Sequence, residues 1–298
     1  MCCIDGISIS RRNAVVRKFR FAVRETRAQN SDMNTAAELP SASAEHALIA
    51  FEQPLTERMR TFLRVEFLYE QTLFHVDEPT EFSSRAAVSA LLEILTILGR
   101  GDVRSDVNKE LERHATLLAR YRSQPGVDPT RLMGLIETID GLRQQLAEAG
   151  PQVINPLKEC DFLTVIRHRS AIPGGTCMFD LPDYGYWLHL PAAERRRQLD
   201  DWTSRIKPIC EAVAEVLWLT REATEAAPQV APAGMFHHIF DRAEQASLVR
   251  VLLPAGGGFF PEVSAGQHRF TIRFVRWRGV DSRPAQVTQD VRFQLAIC

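Results

Sequence analysis

The chain has 298 residues, a mass of 33.7 kDa and a hydrophobic content of 45%, enough to build one large domain or two ordinary ones without disulfide staples. A balance of 36 basic and 37 acidic residues gives a net charge of -1 and a pI of about 6.7. That excludes a polybasic protein held to nucleic acid by bulk charge, but not a local basic site.

Residues 1–45 differ from the rest, with seven basic side chains (Arg11, Arg12, Arg17, Lys18, Arg20, Arg24 and Arg27) followed by a Ser/Ala/Asn-rich stretch. This reads as a disordered N-terminal extension, with Met33 as an alternative start and a basic arm as the other reading. The segment Ala47–Pro54 then reads as a strand stopped by proline. From Leu55 the pattern turns helical, with Met59, Phe62, Leu63 and Phe67 at three- and four-residue spacing. Ala86–Leu98 is apolar nearly all round except for Glu93; a 13-residue run suits a helix buried in a bundle better than a membrane span. Gly99–Asp102 breaks that helix, and Asp102 is placed to cap the next, which carries Val103, Val107, Leu111, Leu118 and Tyr121. Asp128 and Pro129 open a fourth helix, whose stripe is Leu132, Leu135, Ile136, Ile139, Leu142 and Leu146 and which closes at Gly150-Pro151. Asn155-Pro156 opens a fifth, running to the Ile172–Gly175 connection.

Cys177–Pro182 and Tyr184–Pro191 read as two short strands around a turn. A long helix over 191–227 follows, with Pro208 marking a kink or restart. Beyond a loop at 228–234 the chain reads as strands: Met235–Phe240, Ser247–Pro254, Phe259–Gly266, His268–Trp277 and Asp290–Cys298. Helices in one block and strands mostly in another define an α+β fold, a helical bundle domain with a discontinuous, mainly antiparallel β-sheet domain. The expected boundaries are 54–174 and 191–227 for the helices, and 47–53, 175–190 and 228–298 for the sheet.

Catalytic signatures are missing: there is no P-loop, dinucleotide fingerprint, H-E-x-x-H or G-x-S-x-G. Gly256–Gly258 leads into a strand and not a helix, so it reads as a hairpin loop rather than a phosphate cradle. His237 and His238 are adjacent on a strand and point to opposite faces, so they cannot share a metal. Cys160, Cys177 and Cys210 read as core thiols in a reducing cytosol, and Arg195–Arg197 as a solvated helix face. No cofactor or metal is called for. The strand His268–Trp277 carries more information. Alternation buries Phe270, Ile272 and Phe274 and turns Arg269, Thr271 and Arg273 the other way, with the arginines about 13 Å apart. Arg292 opposes the core face of the last strand, so pairing of these two strands would gather three guanidinium groups. The charge is uneven: +3 over residues 235–298, from eight Arg and five acids, against -6 over 46–234, from 21 basic and 27 acidic residues.

The segments Phe51–Leu68, Gly99–Arg113, Pro125–Leu132, Ile172–Pro182, Tyr186–Pro191 and His268–Phe274 together resemble the ZapD family of cytoplasmic cell-division proteins, in the family's order over residues 47–298. Residues 1–45 and the glycine loop have no counterpart in it. The resemblance implies a homodimer with a central helical domain and a β-domain on each side. It also implies binding of the acidic C-terminal tail of FtsZ, and cross-linking of FtsZ filaments into bundles at the mid-cell division ring. The family's basic pocket carries over to Arg100, Arg269 and Arg273, to which the strand reading adds Arg292. No catalysis, membrane insertion or nucleic-acid partner is implied. The other class of reading is an enzyme acting on a small phosphorylated or carboxylated substrate at the same arginines, which lacks a visible general base.

Overall fold

The computed structural model describes residues 48–241, 246–266 and 268–298; the N-terminal extension expected over 1–45 lies outside them. In chain order the elements are β1 (Leu48–Pro54), α1 (Glu57–Asp77), α2 (Glu81–Arg100), α3 (Val103–Arg120), α4 (Pro129–Ala149), α5 (Asn155–Lys158), α6 (Asp161–Ser170), α7 (Pro182–His189), α8 (Ala192–Glu222), β2 (Ala227–Ala231), β3 (Met235–Ile239), β4 (Leu248–Pro254), β5 (Phe259–Ala265), β6 (Arg269–Arg276), β7 (Ala285–Gln286) and β8 (Val291–Ile297). The fold is α+β.

Local chemistry fixes the helix starts. Thr56, Thr80, Asp102 and Asp128 each cap a helix by accepting a backbone N–H two or three residues on, at 2.9–3.2 Å. The expected fifth helix is interrupted: α5 stops after one turn, and Cys160 is extended at φ -69°, ψ 110°, before α6 starts. α8, by contrast, runs unbroken through Pro208. It is the axis of the helical layer, packing against α1, α2, α3 and α4. α2 presents nine buried residues to this core. It is also long and apolar enough to span a membrane by length and composition, but half of its apolar window is buried inside the fold.

The two strands expected over 175–190 do not form. Residues 176–180 are turns and a bend, and Pro182–His189 is helix α7. Tyr184, Trp187 and Leu188 sit at helical three- and four-residue spacing, and Pro182 at the first turn favours a helix start. Their aromatic content mimics a strand, yet it serves the helical core: Trp187 stacks on Trp202 at 5.8 Å, and Phe162 meets Tyr184 edge-on at 5.9 Å. This segment therefore belongs to the helical core and not to the sheets.

The strands form two sheets, β1-β4-β8-β2 and β3-β6-β5, with β7 added beside β6; all pairs are antiparallel. β1 pairs with β4 from the far end of the chain, so the sheet domain is discontinuous as expected. Phe270, Ile272 and Phe274 of one sheet and Val249, Val251, Phe293 and Leu295 of the other share one buried cluster. The sheets thus pack face to face, with Phe274 and Phe293 rings 5.0 Å apart. Gly234, at φ +72°, makes one crossing between the sheets possible, because a Cβ there would meet the Val287 carbonyl oxygen at 2.2 Å. Gly256–Gly258 is a second crossing, from β4 to β5, and not the expected hairpin: those strands lie in different sheets.

The other face of the first sheet meets the helices, and a four-residue ion network joins them. Arg221 on α8 forks onto Glu52 of β1 and Glu66 of α1, with N–O distances of 2.7–2.8 Å. Arg250 of β4 donates to Glu52 at 3.0 Å and to the Arg221 carbonyl at 3.2 Å. Burial alone would lower the Arg221 pKa, but the hydrogen bonds it donates to both carboxylates outweigh it and hold the guanidinium charged.

Candidate functional site

The outer face of the three-stranded sheet follows from register. Arg269, Thr271 and Arg273 of β6 stand opposite Ile239, His237 and Met235 of β3, and Thr271 and Arg273 stand opposite Ser264 and Glu262 of β5. Both arginines are exposed. Arg273 donates from Nε to Glu262 at 3.1 Å, with a second, closer contact from Nη2 to the same oxygen. Both partners are about half exposed (49% and 46%), so this pair is exchangeable and contributes at most about 1 kcal/mol. Arg269 has no ion pair among the described residues, and beside it Ile239 is 76% exposed. The face therefore offers two cationic forks flanked by apolar side chains.

His237 lies on this same face, its Nδ1 3.0 Å from Thr271 Oγ, while His238 stacks on Phe270 on the inner face at 5.0 Å. The two imidazoles do point apart. Among the described residues no group of three His, Cys, Asp or Glu side chains is placed to hold a metal. Cys210 is fully buried, and burial raises its pKa far above the ordinary thiol range; burial raises that of Cys298 as well. Cys160 packs half-buried against the helical core, and Cys177 is half-buried in a turn.

Arg292 does not join Arg269 and Arg273. β8 belongs to the other sheet, and its alternation puts Arg292 on the side of Ala296, which pairs with Arg250 on the helix-facing surface. The physical reason is the sandwich itself. Two strands that bury the same kind of face against each other must turn their polar faces in opposite directions.

Arg100 ends α2 and lines a separate cleft with Thr96, Lys158, Arg167 and His168, none of them sheet residues. A second concavity, a groove of about 360 Å³, is lined by Ile49, Phe51, Leu253, Phe259, Phe260 and Trp277 beside the glycine crossing. Phe260 lies two residues before Glu262 on β5, on the same face as Arg273, so the groove continues from the arginine face. No sequence pattern marks this groove, because its walls come from both sheets.

One expected solvated residue is buried. Arg195 is 5% exposed and donates to Ser84 Oγ at 3.0 Å, the Leu188 carbonyl at 2.9 Å, the Pro79 carbonyl at 2.5 Å and the Leu190 carbonyl. It ties the α1–α2 and α7–α8 connections together. Arg196 pairs with Asp77 at 2.6 Å.

The chain is thus an α+β protein whose outer sheet face is exposed and carries arginines beside apolar side chains. A model of the ZapD family, described as a cell division protein, matches residues 63–273. The "Cell division protein ZapD" of Methylococcus capsulatus (strain ATCC 33009 / NCIMB 11132 / Bath) is 34% identical over 250 residues, covering 84% of this chain and 98% of that protein. The chain belongs to the ZapD family of cell division proteins.

Proposed function

We propose that this chain is a non-enzymatic division factor that captures the acidic C-terminal tail of FtsZ on the outer face of β3-β6-β5 and, as a homodimer, cross-links FtsZ filaments in the cytoplasm at the mid-cell ring. One observation carries the reading: Arg269 and Arg273 project from one sheet face with apolar Ile239 and Met235 beside them. A tail carboxylate can fork onto Arg269 directly, and a second can displace Glu262 from Arg273. Apolar tail side chains fit the groove under Trp277.

The homodimer reading is supported by the helical layer. Phe67 and Phe74 on α1 are 66% and 64% exposed, and Phe82 at the start of α2 is 83% exposed. The periodicity expected Phe67 in the core, but the buried face of α1 runs through Phe62, Val65, Leu68 and Val76 instead. About a two-fold axis between Glu70 and Gln71, each Phe67 would meet the other copy's Phe74, with Arg64 near Asp77 and Glu78. A surface on which exposed Phe67 and Phe74 flank the axis and the ends are opposite in charge suits a second copy. Two tail sites per dimer raise the effective concentration for a second filament, so weak single contacts give reversible bundling.

The test is co-sedimentation of FtsZ filaments with Arg269→Glu/Arg273→Glu. The expected result is a folded dimer that no longer co-sediments; bundling at wild-type level would move the site elsewhere.

A further inference from the structure

The cleft at the end of α2 is a second concentration of positive charge, of about 410 Å³. Arg100, Lys158 and Arg167 line it together with His168, and its lining contains no carboxylate. Lys158 and Arg167 are half-buried, and among the described residues neither they nor Arg100 takes part in an ion pair. Half-buried Arg221 and Arg250, by contrast, are matched by Glu52 and Glu66, and half-buried Arg85 and Arg104, which have no ion pair among the described residues, donate to the Thr176 and Leu146 carbonyls. Partly desolvated cations without counter-ions are unfavourable unless something neutralises them.

The protein's own dipoles do only part of that work. The Lys158 side chain lies along the last turn of α2, where a Cβ on Gly99 would meet its Cε at 3.4 Å and Nζ at 3.5 Å. Arg167 and His168 lie in the last turn of α6. Each helix C-terminus presents about half a negative charge. Two such ends offset about one unit, leaving about two of the three permanent charges unmatched. A lone carboxylate carries one charge and is satisfied by one fork, as Glu262 is by Arg273. Several converging cations around one concavity match a more highly charged group.

We propose that this cleft binds a compact multivalent oxyanion, of the charge and size of a pyrophosphate or triphosphate group, independently of the sheet site. Arg100 and Arg167 supply planar forks, Lys158 a point charge, and His168 a ring nitrogen at the rim.

The test is titration calorimetry of the full chain with sodium tripolyphosphate at low salt. The expected result is saturable one-to-one binding, weakened at least tenfold in Lys158→Ala/Arg167→Ala and unchanged in Arg269→Glu/Arg273→Glu. Because Lys158 also serves the end of α2, the charge-conserving Lys158→Arg/Arg167→Lys variant is measured alongside and retains binding within a few-fold. A nucleoside triphosphate distinguishes the source: equal affinity means the phosphate chain alone is read, and tighter binding points to a nucleotide, either result supporting the cleft. No binding, binding undiminished in the alanine variant, or a hexaglutamate peptide binding as tightly as tripolyphosphate overturns the proposal.

Discussion

The helical layer and the outer sheet face use the same side chain to opposite ends. In the helical layer Arg195 and Arg221 are enclosed, and their donors are taken up by carbonyls, a hydroxyl and carboxylates of the chain itself. On β6, Arg269 and Arg273 stand in solvent, one without an ion pair among the described residues and the other held by an exposed glutamate. Arginine abundance therefore says little; whether a guanidinium is enclosed with its partners or stands exposed separates those that hold the fold from those available to another molecule.

That contrast can be broken by substitution, and the largest effect belongs to Arg221. Arg221→Leu leaves Glu66 without its cation and Glu52 with Arg250 alone at the junction of β1, α1 and α8, and should cost about 2–3 kcal/mol in chemical denaturation. Loss below 1 kcal/mol would mean that the network does not join the layers. His114 tests the same layer through pH. Burial, and then the charge of Arg113, lowers its pKa from 6.5 to about 4. The unfolded chain takes up the proton near 6.5 and the folded chain only near 4, so stability is full above that window and falls as pH drops through it, by about 3 kcal/mol. Glu110 adds to the acid loss: burial would raise its pKa, but Arg113 and Arg58 lower it overall. Burial raises Glu211 and Glu215, which acts in the opposite sense. Comparing urea midpoints of wild type and His114→Gln between pH 7 and 4 isolates the histidine; the variant should show a flatter acid limb.

Arg195→Lys keeps the charge but loses the fork that reaches Ser84, Pro79 and Leu188, and should cost about 2 kcal/mol in thermal unfolding. On the sheet the effect on stability should nearly vanish. Arg269→Glu/Arg273→Glu should shift unfolding by no more than about 0.5 kcal/mol while removing FtsZ binding. The smallest effect sharpens the contrast further: Glu262→Ala frees Arg273 and should tighten tail binding by about two- to fivefold, the reach of an exposed ion pair. Unchanged affinity would place Arg273 outside the contact.

Much of this architecture could be read from the residues. The caps at Asp102 and Asp128 were legible because a short acceptor before an apolar stripe has one local use, and the strands of the C-terminal region because apolar residues recur at alternate positions along β4, β6 and β8. Alternation also identified the core face of β6 and so the outward Arg269 and Arg273. It could not say which sheet each strand joins, and this is why Arg292 was grouped with them. Tyr184–Trp187 was misread because a helix of two turns, rich in aromatics, carries too few residues for its period to show. Arg195 was invisible for a different reason: its acceptors are mostly main-chain carbonyls at distant connections, and carbonyls leave no mark on a sequence. The basic cleft and the apolar groove likewise draw their walls from segments far apart in the chain.

The central claim is that an exposed sheet face reads an acidic tail. Co-sedimentation with FtsZ filaments that carry or lack their C-terminal tail tests it most directly. The account predicts that this protein pellets with full-length filaments, less so as salt rises and screens the exposed charges over about 8 Å, and stays in the supernatant with tailless ones. Equal co-sedimentation with both would contradict it.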